Sequence, residues 1–196
     1  QSLNHKVYGL TNNKENEQKA IERNLANYVS CDLGILKDCS LIILALPIED
    51  LLHPSKELIL AIPKKAVVTD VGSIKKPIIN KWENIHPFFI GSHPMIGTEQ
   101  KGVGSGFESL LDNAKWAITP TSKTNSYAMN ILWELLISMK CRIFKASPEE
   151  HDIAVSLISH LPIFVASSLI ETANDKNNNS LINITRNLAS TGFSDT

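Results

Sequence analysis

Apolar positions along the chain form short continuous runs that are separated by stretches with helical spacing. The clearest runs are Leu41–Leu46, which ends at Pro47, and Ala66–Val71. Uninterrupted runs of this length are typical of strands buried on both faces of a parallel sheet. The segment Glu49–Ile62 between them favours a helix that Pro54 interrupts or delays.

Further strands and helices alternate up to residue 147. Strands are predicted at Lys6–Leu10, Phe88–Gly91, Lys115–Thr119 and Cys141–Phe144, and helices at Lys14–Tyr28 and Ser126–Met139. Parallel strands joined through helices form right-handed crossovers. The pattern therefore predicts an α/β fold with a doubly wound parallel sheet.

The alternation stops after Ser147. Ser147–Glu150 has the composition of a helix start, with a capping serine, a proline in the first turn and two acids. This helix is predicted to continue to about Ala173 with a kink at Pro162, and Leu181–Ala189 predicts another helix. We expect a sheet domain over residues 1–147 and the beginning of an all-helical domain over residues 148–196.

Composition narrows the classes of function. The 196 residues are 43% hydrophobic with a formal net charge of -1, so no basic excess favours nucleic-acid binding. Three cysteines without metal-ligand spacing are typical of free thiols in a reducing compartment, and we expect a cytoplasmic protein without a metal site. No apolar run approaches the roughly 20 residues of a membrane span, so no membrane association is expected.

Ligands of open parallel sheets bind beyond the carboxyl ends of the strands. Small, polar or titratable residues follow four predicted strands, at Thr11-Asn12-Asn13, Pro47-Ile48-Glu49, Gly72-Ser73 with Lys75, and Ser92-His93-Pro94. At the first of these ends, hydroxyl and amide groups followed by Lys14 favour the 2′-phosphate of NADP, because no acid is present for the ribose of NAD. A solvated helix cap has the same composition, and NAD stays possible.

Three histidines are candidates for chemistry. His93 at a strand end is the best candidate for acid–base work, against the alternative of a surface histidine in a loop. His151 is expected on the surface of the long helix. His160 lies beside Pro162, where an opened backbone is common near ligand pockets.

Four segments resemble, in order and spacing, the motifs of the prephenate/arogenate dehydrogenases, and of the cyanobacterial arogenate dehydrogenases in particular. The family motifs are TD-x-x-S-x-K, GGHPMAGTE, SHLP and NLAS-x-GF-x-D-T. The matching segments are Thr69–Lys75, Gly91–Glu99, Ser159–Pro162 and Asn187–Thr196. The resemblance implies a Rossmann-like dinucleotide-binding domain followed by a helical substrate and dimerisation domain, and a homodimer for the full-length enzyme.

The resemblance also implies an oxidative decarboxylation of arogenate or prephenate with NADP, in tyrosine biosynthesis. His93 is then the base for the substrate's 4-hydroxyl, and Ser73 bridges that hydroxyl and the nicotinamide. The substrate-binding residues would be His160, Gly97, Thr98 and Glu99, and the cofactor-binding residues Thr11, Asn12, Leu46, Pro47 and Ser73. Ile163 stands where some prephenate-specific members have a histidine, which favours arogenate; Glu99 weakly favours prephenate.

Two departures leave alternatives open. The G-x-G-x-x-G phosphate loop and the arginine that binds a substrate carboxylate would lie outside these residues, so we expect a sheet that is incomplete at its N-terminus. A truncated, inactive or regulatory fragment of such an enzyme is therefore one alternative. A β-hydroxyacid-type dehydrogenase is another, although the long helix lacks that family's catalytic lysine before Lys176.

Overall fold

The computed structural model describes residues 5–97, 102, 106, 108–173 and 179–190. The chain divides into two compact units, residues 1–151 and 152–196, and each is described separately. The strands of the first unit are, in chain order, β1 (Tyr8–Leu10), β2 (Tyr28–Ser30), β3 (Leu41–Leu44), β4 (Val67–Asp70), β5 (Phe89–Pro94), β6 (Lys115–Thr119) and β7 (Arg142–Lys145). Its helices are α1 (Lys14–Glu22), α2 (Ile48–Leu52), α3 (Lys56–Ala61), α4 (Lys76–Trp82) and α5 (Ser126–Ser138), and α6 (Pro148–Val155) begins in this unit.

Two sheets are formed by the described strands. A five-stranded sheet has the order β3-β4-β5-β6-β7, and β1 pairs with β2 in parallel in a separate two-stranded sheet. The pairs β3–β4, β4–β5 and β6–β7 are parallel, as predicted, whereas β5 and β6 are antiparallel. The prediction of a doubly wound α/β fold is confirmed, but the sheet is mixed, because β6 and β7 both run opposite to β3, β4 and β5.

Strand β4 is buried on both faces, which explains its uninterrupted apolar run, whereas β3, predicted to be buried in the same way, lies at the edge of the sheet with Ile43 42% exposed. Along β4, Val68 packs with α2 and α4 on one face, and Val67 packs with α5 on the other. In β5 the same alternation places Phe89 and Ile90 on opposite faces. Trp82 at the end of α4 is fully buried, and its indole N–H donates to the Leu51 carbonyl at 2.8 Å.

Two predicted helices are shorter in the structure. The helix predicted to reach Tyr28 ends at Glu22, because Asn24 adopts a positive φ of 52° and the chain turns into β2. The helix predicted over Glu49–Ile62 is two helices, α2 and α3. Pro54 separates them, and the Ser55 hydroxyl accepts the Leu58 N–H at the start of α3.

The second unit is helical among its described residues. From α6 the chain continues through a π-helical turn, Ser156–His160, into α7 (Leu161–Ala173), and α8 (Asn179–Leu188) follows. In the π turn the Leu161 N–H bonds to the Ser156 carbonyl, one residue further back than in an α-helix. Pro162 has no N–H and its ring would collide with the Ile158 carbonyl, so the predicted interruption takes the form of a wide turn.

The stretch Pro148–Ala173 is more apolar than the sequence pattern led us to expect. In the described part of the chain it is the one helix that is long and apolar enough, by length and composition only, to cross a membrane. Large apolar side chains along it are exposed within the chain, namely Ile153, Leu157, Ile158, Leu161, Ile163, Phe164, Leu169 and Ile170. Helices that pack against other helices meet the same criterion, so this property does not identify a span.

Candidate active site

A buried ion pair lies where β4 ends. The carboxylate of Asp70 and the ammonium of Lys75 are fully buried and in direct contact. The carboxylate also accepts the backbone N–H groups of Gly72 (2.9 Å) and Ser92 (3.3 Å). Lys75 donates in addition to the Ser92 carbonyl at 2.7 Å. The pair therefore ties the loop after β4 to β5.

Two buried hydroxyl groups complete this network. Thr69 donates to the Ser92 hydroxyl at 2.9 Å, and the Ser92 hydroxyl donates to the Asp70 carbonyl at 2.8 Å. Both side chains are fully buried. Ser92 is thus held through its side chain, its N–H and its carbonyl. Because His93 is the next residue, its backbone position is fixed as well.

Burial raises the pKa of the Asp70 carboxyl above its ordinary range, and the Lys75 charge and the two N–H donors oppose this rise. A charge in such a place is tolerated when its partners satisfy it, and removal of one partner is costly. The Asp70–Lys75 pair is consequently closed to solvent, and its role is to hold the backbone around it rigidly.

Glycines allow close packing at both strand ends. A Cβ on Gly91 would come within 2.7 Å of the Ile79 side chain and of Thr119 Oγ1, and one on Gly72 would lie 2.8 Å from Ile78 Cδ1. Both separations are shorter than a normal contact, so helix α4 packs directly on these glycines. A small residue at either position is required by space.

The structure places Ser73, His93, Leu46 and Pro47 at one edge of the five-stranded sheet. Leu44 and Asp70 are register partners, so Leu46-Pro47 and Gly72-Ser73 leave adjacent strands at the same level. Ser73 is half-buried, and His93, next to the anchored Ser92, is half-buried near the end of β5. Three of the four predicted strand ends therefore meet at one end of this sheet, whereas Thr11-Asn12-Asn13 follows β1 in the separate two-stranded sheet.

His93 contacts a second histidine. Nδ1 of His93 and Nε2 of His151 are 3.0 Å apart, and the ring centroids are 5.2 Å apart at an interplanar angle of 70°. His151 is only 4% exposed. The expectation that His151 lies on a helix surface was therefore wrong. No local signal indicated this burial, because it depends on which side of α6 meets β5.

The first turn of α6 is fixed by its cap and by an ion pair. The Glu150 N–H donates to the Ser147 hydroxyl (3.2 Å) and the Ser147 N–H to the Glu150 carboxylate (2.9 Å), which is a capping box. Glu149 pairs with Lys76 at 3.0 Å, at the start of α4. The helix that carries His151 is thereby joined to the segment that follows Ser73.

Thr11 and Asn12 lie at the end of β1, in the two-stranded sheet. Thr11 contacts Cys31 Sγ at 3.4 Å, and Asn12 accepts hydrogen bonds from Asn13 and Asn16. Lys14 pairs with Glu17 at 2.9 Å, and this hydrogen bond raises the pKa of the lysine, which therefore stays cationic. The loop carries hydroxyl, amide and ammonium groups, with the Glu17 carboxylate beside them.

The remaining candidates are only partly described. His160 is half-buried in the π turn of the second unit, and Gly97 is exposed after β5. Thr98 and Glu99 lie outside the described residues. Within the described part of the chain, no group of three or more His, Cys, Asp or Glu residues could hold a metal ion.

A sheet covered by helices on both faces, with a histidine and small polar residues at its strand ends, defines the Rossmann-like class of nucleotide-binding dehydrogenase domains. Residues 1–145 match the family described as "Prephenate dehydrogenase, nucleotide-binding domain", and residues 147–196 match "Prephenate dehydrogenase, dimerization domain". The chain belongs to the prephenate dehydrogenase family.

Individual relatives agree with this assignment. The prephenate dehydrogenase of Bacillus subtilis is 35% identical over 164 residues, which is 82% of this chain and 44% of that protein. The arogenate dehydrogenase structure from Synechocystis is 33% identical with a TM-score of 0.79, over 98% of this chain and 69% of that one. The Aquifex aeolicus prephenate dehydrogenase in complex with hydroxyphenyl propionate and NAD+ is 28% identical with a TM-score of 0.88, over 98% and 68%. The chain spans about half the length of the curated relatives it matches.

The ion pair gives a first prediction. In the full-length protein, Lys75→Met should lower the free energy of unfolding by about 3–5 kcal/mol, because it leaves a buried carboxylate without its cation. Urea unfolding measures the loss. The double variant Asp70→Asn/Lys75→Met removes both charges and should recover part of it. A single variant as stable as the double would contradict the role of the pair.

The capping box gives a second prediction, on pH. Hydrogen bonding from Ser147 lowers the pKa of Glu150 in the folded state. Its stabilisation is therefore complete above the unfolded pKa of about 4.3 and is lost as the pH falls through the lower folded value. We expect Glu150→Gln to lower the Tm at pH 7, and the gap from wild type to close towards pH 3. Glu134→Gln, on the surface of α5, controls for the loss of one charge, and a gap that persists in acid would contradict the prediction.

Proposed function

We propose that this chain carries the catalytic core of an enzyme that oxidatively decarboxylates arogenate or prephenate with a nicotinamide cofactor, in tyrosine biosynthesis in the cytoplasm. Residues 1–147 bind the dinucleotide, and residues 148–196 begin the helical substrate and dimerisation domain. The observation that carries the proposal is His93, held beside Ser92 at a strand end and bonded through Nδ1 to His151. The family assignment favours this function over a β-hydroxyacid dehydrogenase.

The reaction requires one hydride acceptor and one base. A nicotinamide held at the strand ends would supply the acceptor for the hydride that leaves C4 of the cyclohexadienyl ring. His93 takes the proton of the 4-hydroxyl, so that a carbonyl forms at C4. The bond from the ring to the carboxylate carbon then breaks, carbon dioxide leaves, and the bond's electron pair makes the ring aromatic. The C4 oxygen regains a proton, which His93 is in place to return.

Ser73 and the strand ends position the reactants. Ser73 bridges the 4-hydroxyl and the nicotinamide region in this proposal, and Leu46 and Pro47 line the cofactor from the neighbouring strand end. Because aromatisation supplies the driving force, alignment of the C4 hydrogen with its acceptor is the main contribution of the protein. His160, Gly97, Thr98 and Glu99 are proposed to contact the substrate, and Ile163 favours arogenate.

A homodimer is proposed through the second unit. The match to a dimerization domain over residues 147–196 and the exposed apolar side chains of α7 support it. Exposed apolar area on this scale is typical of a surface that is covered in the assembled protein.

The base is tested by His93→Asn in the full-length enzyme. We expect kcat to fall by about 10²–10⁴-fold, the contribution typical of a general base, while KM for the cofactor changes little. Steady-state kinetics measures both parameters. His53→Asn replaces a histidine that is mostly exposed and is the matched control. Turnover near that of the wild type in His93→Asn would remove His93 from this role.

The cofactor is tested by comparing kcat/KM for NADP and NAD. We propose a preference for NADP, with Thr11, Asn12 and Lys14 at the 2′-phosphate. Lys14→Gln should then lower kcat/KM for NADP by about tenfold, the value of one charge-assisted hydrogen bond, and leave NAD unchanged. Lys19→Gln, on the same helix, is the control. A preference for NAD that Glu17→Gln abolishes would instead identify Glu17 as the acid that binds the ribose.

A further inference from the structure

The contact between His93 and His151 needs one proton. Two imidazole nitrogens at 3.0 Å form a hydrogen bond when one of them carries a hydrogen and the other a lone pair. With both rings neutral, that proton lies either on Nδ1 of His93 or on Nε2 of His151. In the first arrangement Nε2 of His93 has a free lone pair, and in the second it carries a hydrogen.

We propose that His151 is a positioning residue that accepts the hydrogen bond from Nδ1–H of His93 and so keeps Nε2 of His93 as the basic nitrogen. This inference rests on the proposed role of His93 as the base. In the other arrangement His151 donates, His93 carries its proton on Nε2, and no lone pair is available for the 4-hydroxyl proton. An acceptor at Nδ1 is therefore what the reaction requires.

The same hydrogen bond between His93 and His151 also stabilises the protonated form of His93. When Nε2 of His93 takes the substrate proton, the ring becomes an imidazolium that still has Nδ1–H. The lone pair on Nε2 of His151 then accepts from a cation, and such a bond is stronger than one between neutral groups. The proton that moves is the one on Nε2, and the proton between the two rings stays in place. An orienting acceptor behind a catalytic imidazole acts in this way in the serine protease triad.

His151 is itself rigidly held. It is 4% exposed, its backbone N–H donates to the Ser147 carbonyl at 3.0 Å, and the capping box holds the turn around it. His93 is anchored independently through Ser92 and the Asp70–Lys75 pair. Two separately fixed backbones therefore determine the distance between the rings. A ring that merely filled space would not need a nitrogen 3.0 Å from Nδ1 of His93.

The test compares two replacements of His151 in the full-length enzyme. His151→Leu fills the space without an acceptor, whereas His151→Gln places its amide oxygen as many bonds from Cα as Nε2 is in histidine. We expect kcat to fall at least about tenfold in the leucine variant, with KM for substrate and cofactor little changed, and to recover in the glutamine variant. A structural role alone would lower both variants' yield of folded enzyme without separating their kcat values.

His86→Leu is the matched control. His86 is also a buried histidine of the first unit, with its ring nitrogens on the Pro63 carbonyl and the Phe88 N–H, and it has no part in the proposed site. Its replacement should lower stability and leave kcat per folded enzyme unchanged. A fall in kcat equal to that of His151→Leu would overturn the proposal.

The tautomer gives a readout that does not depend on activity. Wild-type enzyme with ¹⁵N-labelled histidine is examined by long-range ¹H–¹⁵N NMR at about pH 8.5, where ordinary imidazoles are neutral, and His93→Asn assigns the signals. We expect His93 with hydrogen on Nδ1 and His151 with an unprotonated Nε2. The reverse pattern overturns the proposal, even if His151→Leu fails to fold. If His93→Asn keeps full turnover while the tautomer is as expected, the proposed base fails and the hydrogen-bond assignment stands.

Discussion

The buried ion pair between Asp70 and Lys75 is the constraint on which the site depends. A carboxylate with no exposed surface requires its cation and its N–H donors in fixed places, and these come from the loop after β4 and from β5. The backbone between Gly72 and Lys75 and the backbone at Ser92 therefore have little freedom. The two residues proposed for chemistry, Ser73 and His93, lie within or directly beside these segments.

The support of the site comes from regular structure rather than from loops. His93 lies on β5, which pairs with β4 on one side and with β6 on the other. His151 lies on the first turn of a capped helix. Side chains on such elements hold their geometry better than side chains on loops. The glycines at 72 and 91 serve the same end, because α4 packs on the sheet closely enough to leave no room for a Cβ.

Sequence patterns predicted the features of the fold that depend on local composition, such as individual strands. The runs at Leu41–Leu46 and Ala66–Val71 correspond to β3 and β4, but only β4 is buried on both faces, because β3 is an edge strand with Ile43 exposed. The burial of His151 depends on which side of α6 meets β5, and the reversal of β6 and β7 depends on pairing between distant segments. Neither is encoded in local spacing. The family motifs pointed to His93 and Ser73, whose roles stay predictions, but they named no hydrogen-bond partner for the His93 ring.

The long helix of the second unit has a composition that a membrane span and a protein interface share. What distinguishes them is how the helix begins. Its first turn belongs to the first unit, where His151 is buried against His93 and Glu149 pairs with Lys76. Part of this helix therefore already serves the folded domain, and its composition is accounted for if the exposed face packs on other helices of the same protein. That account agrees with the match to a dimerization domain, and it makes the helix that fixes His151 also the start of the proposed subunit interface.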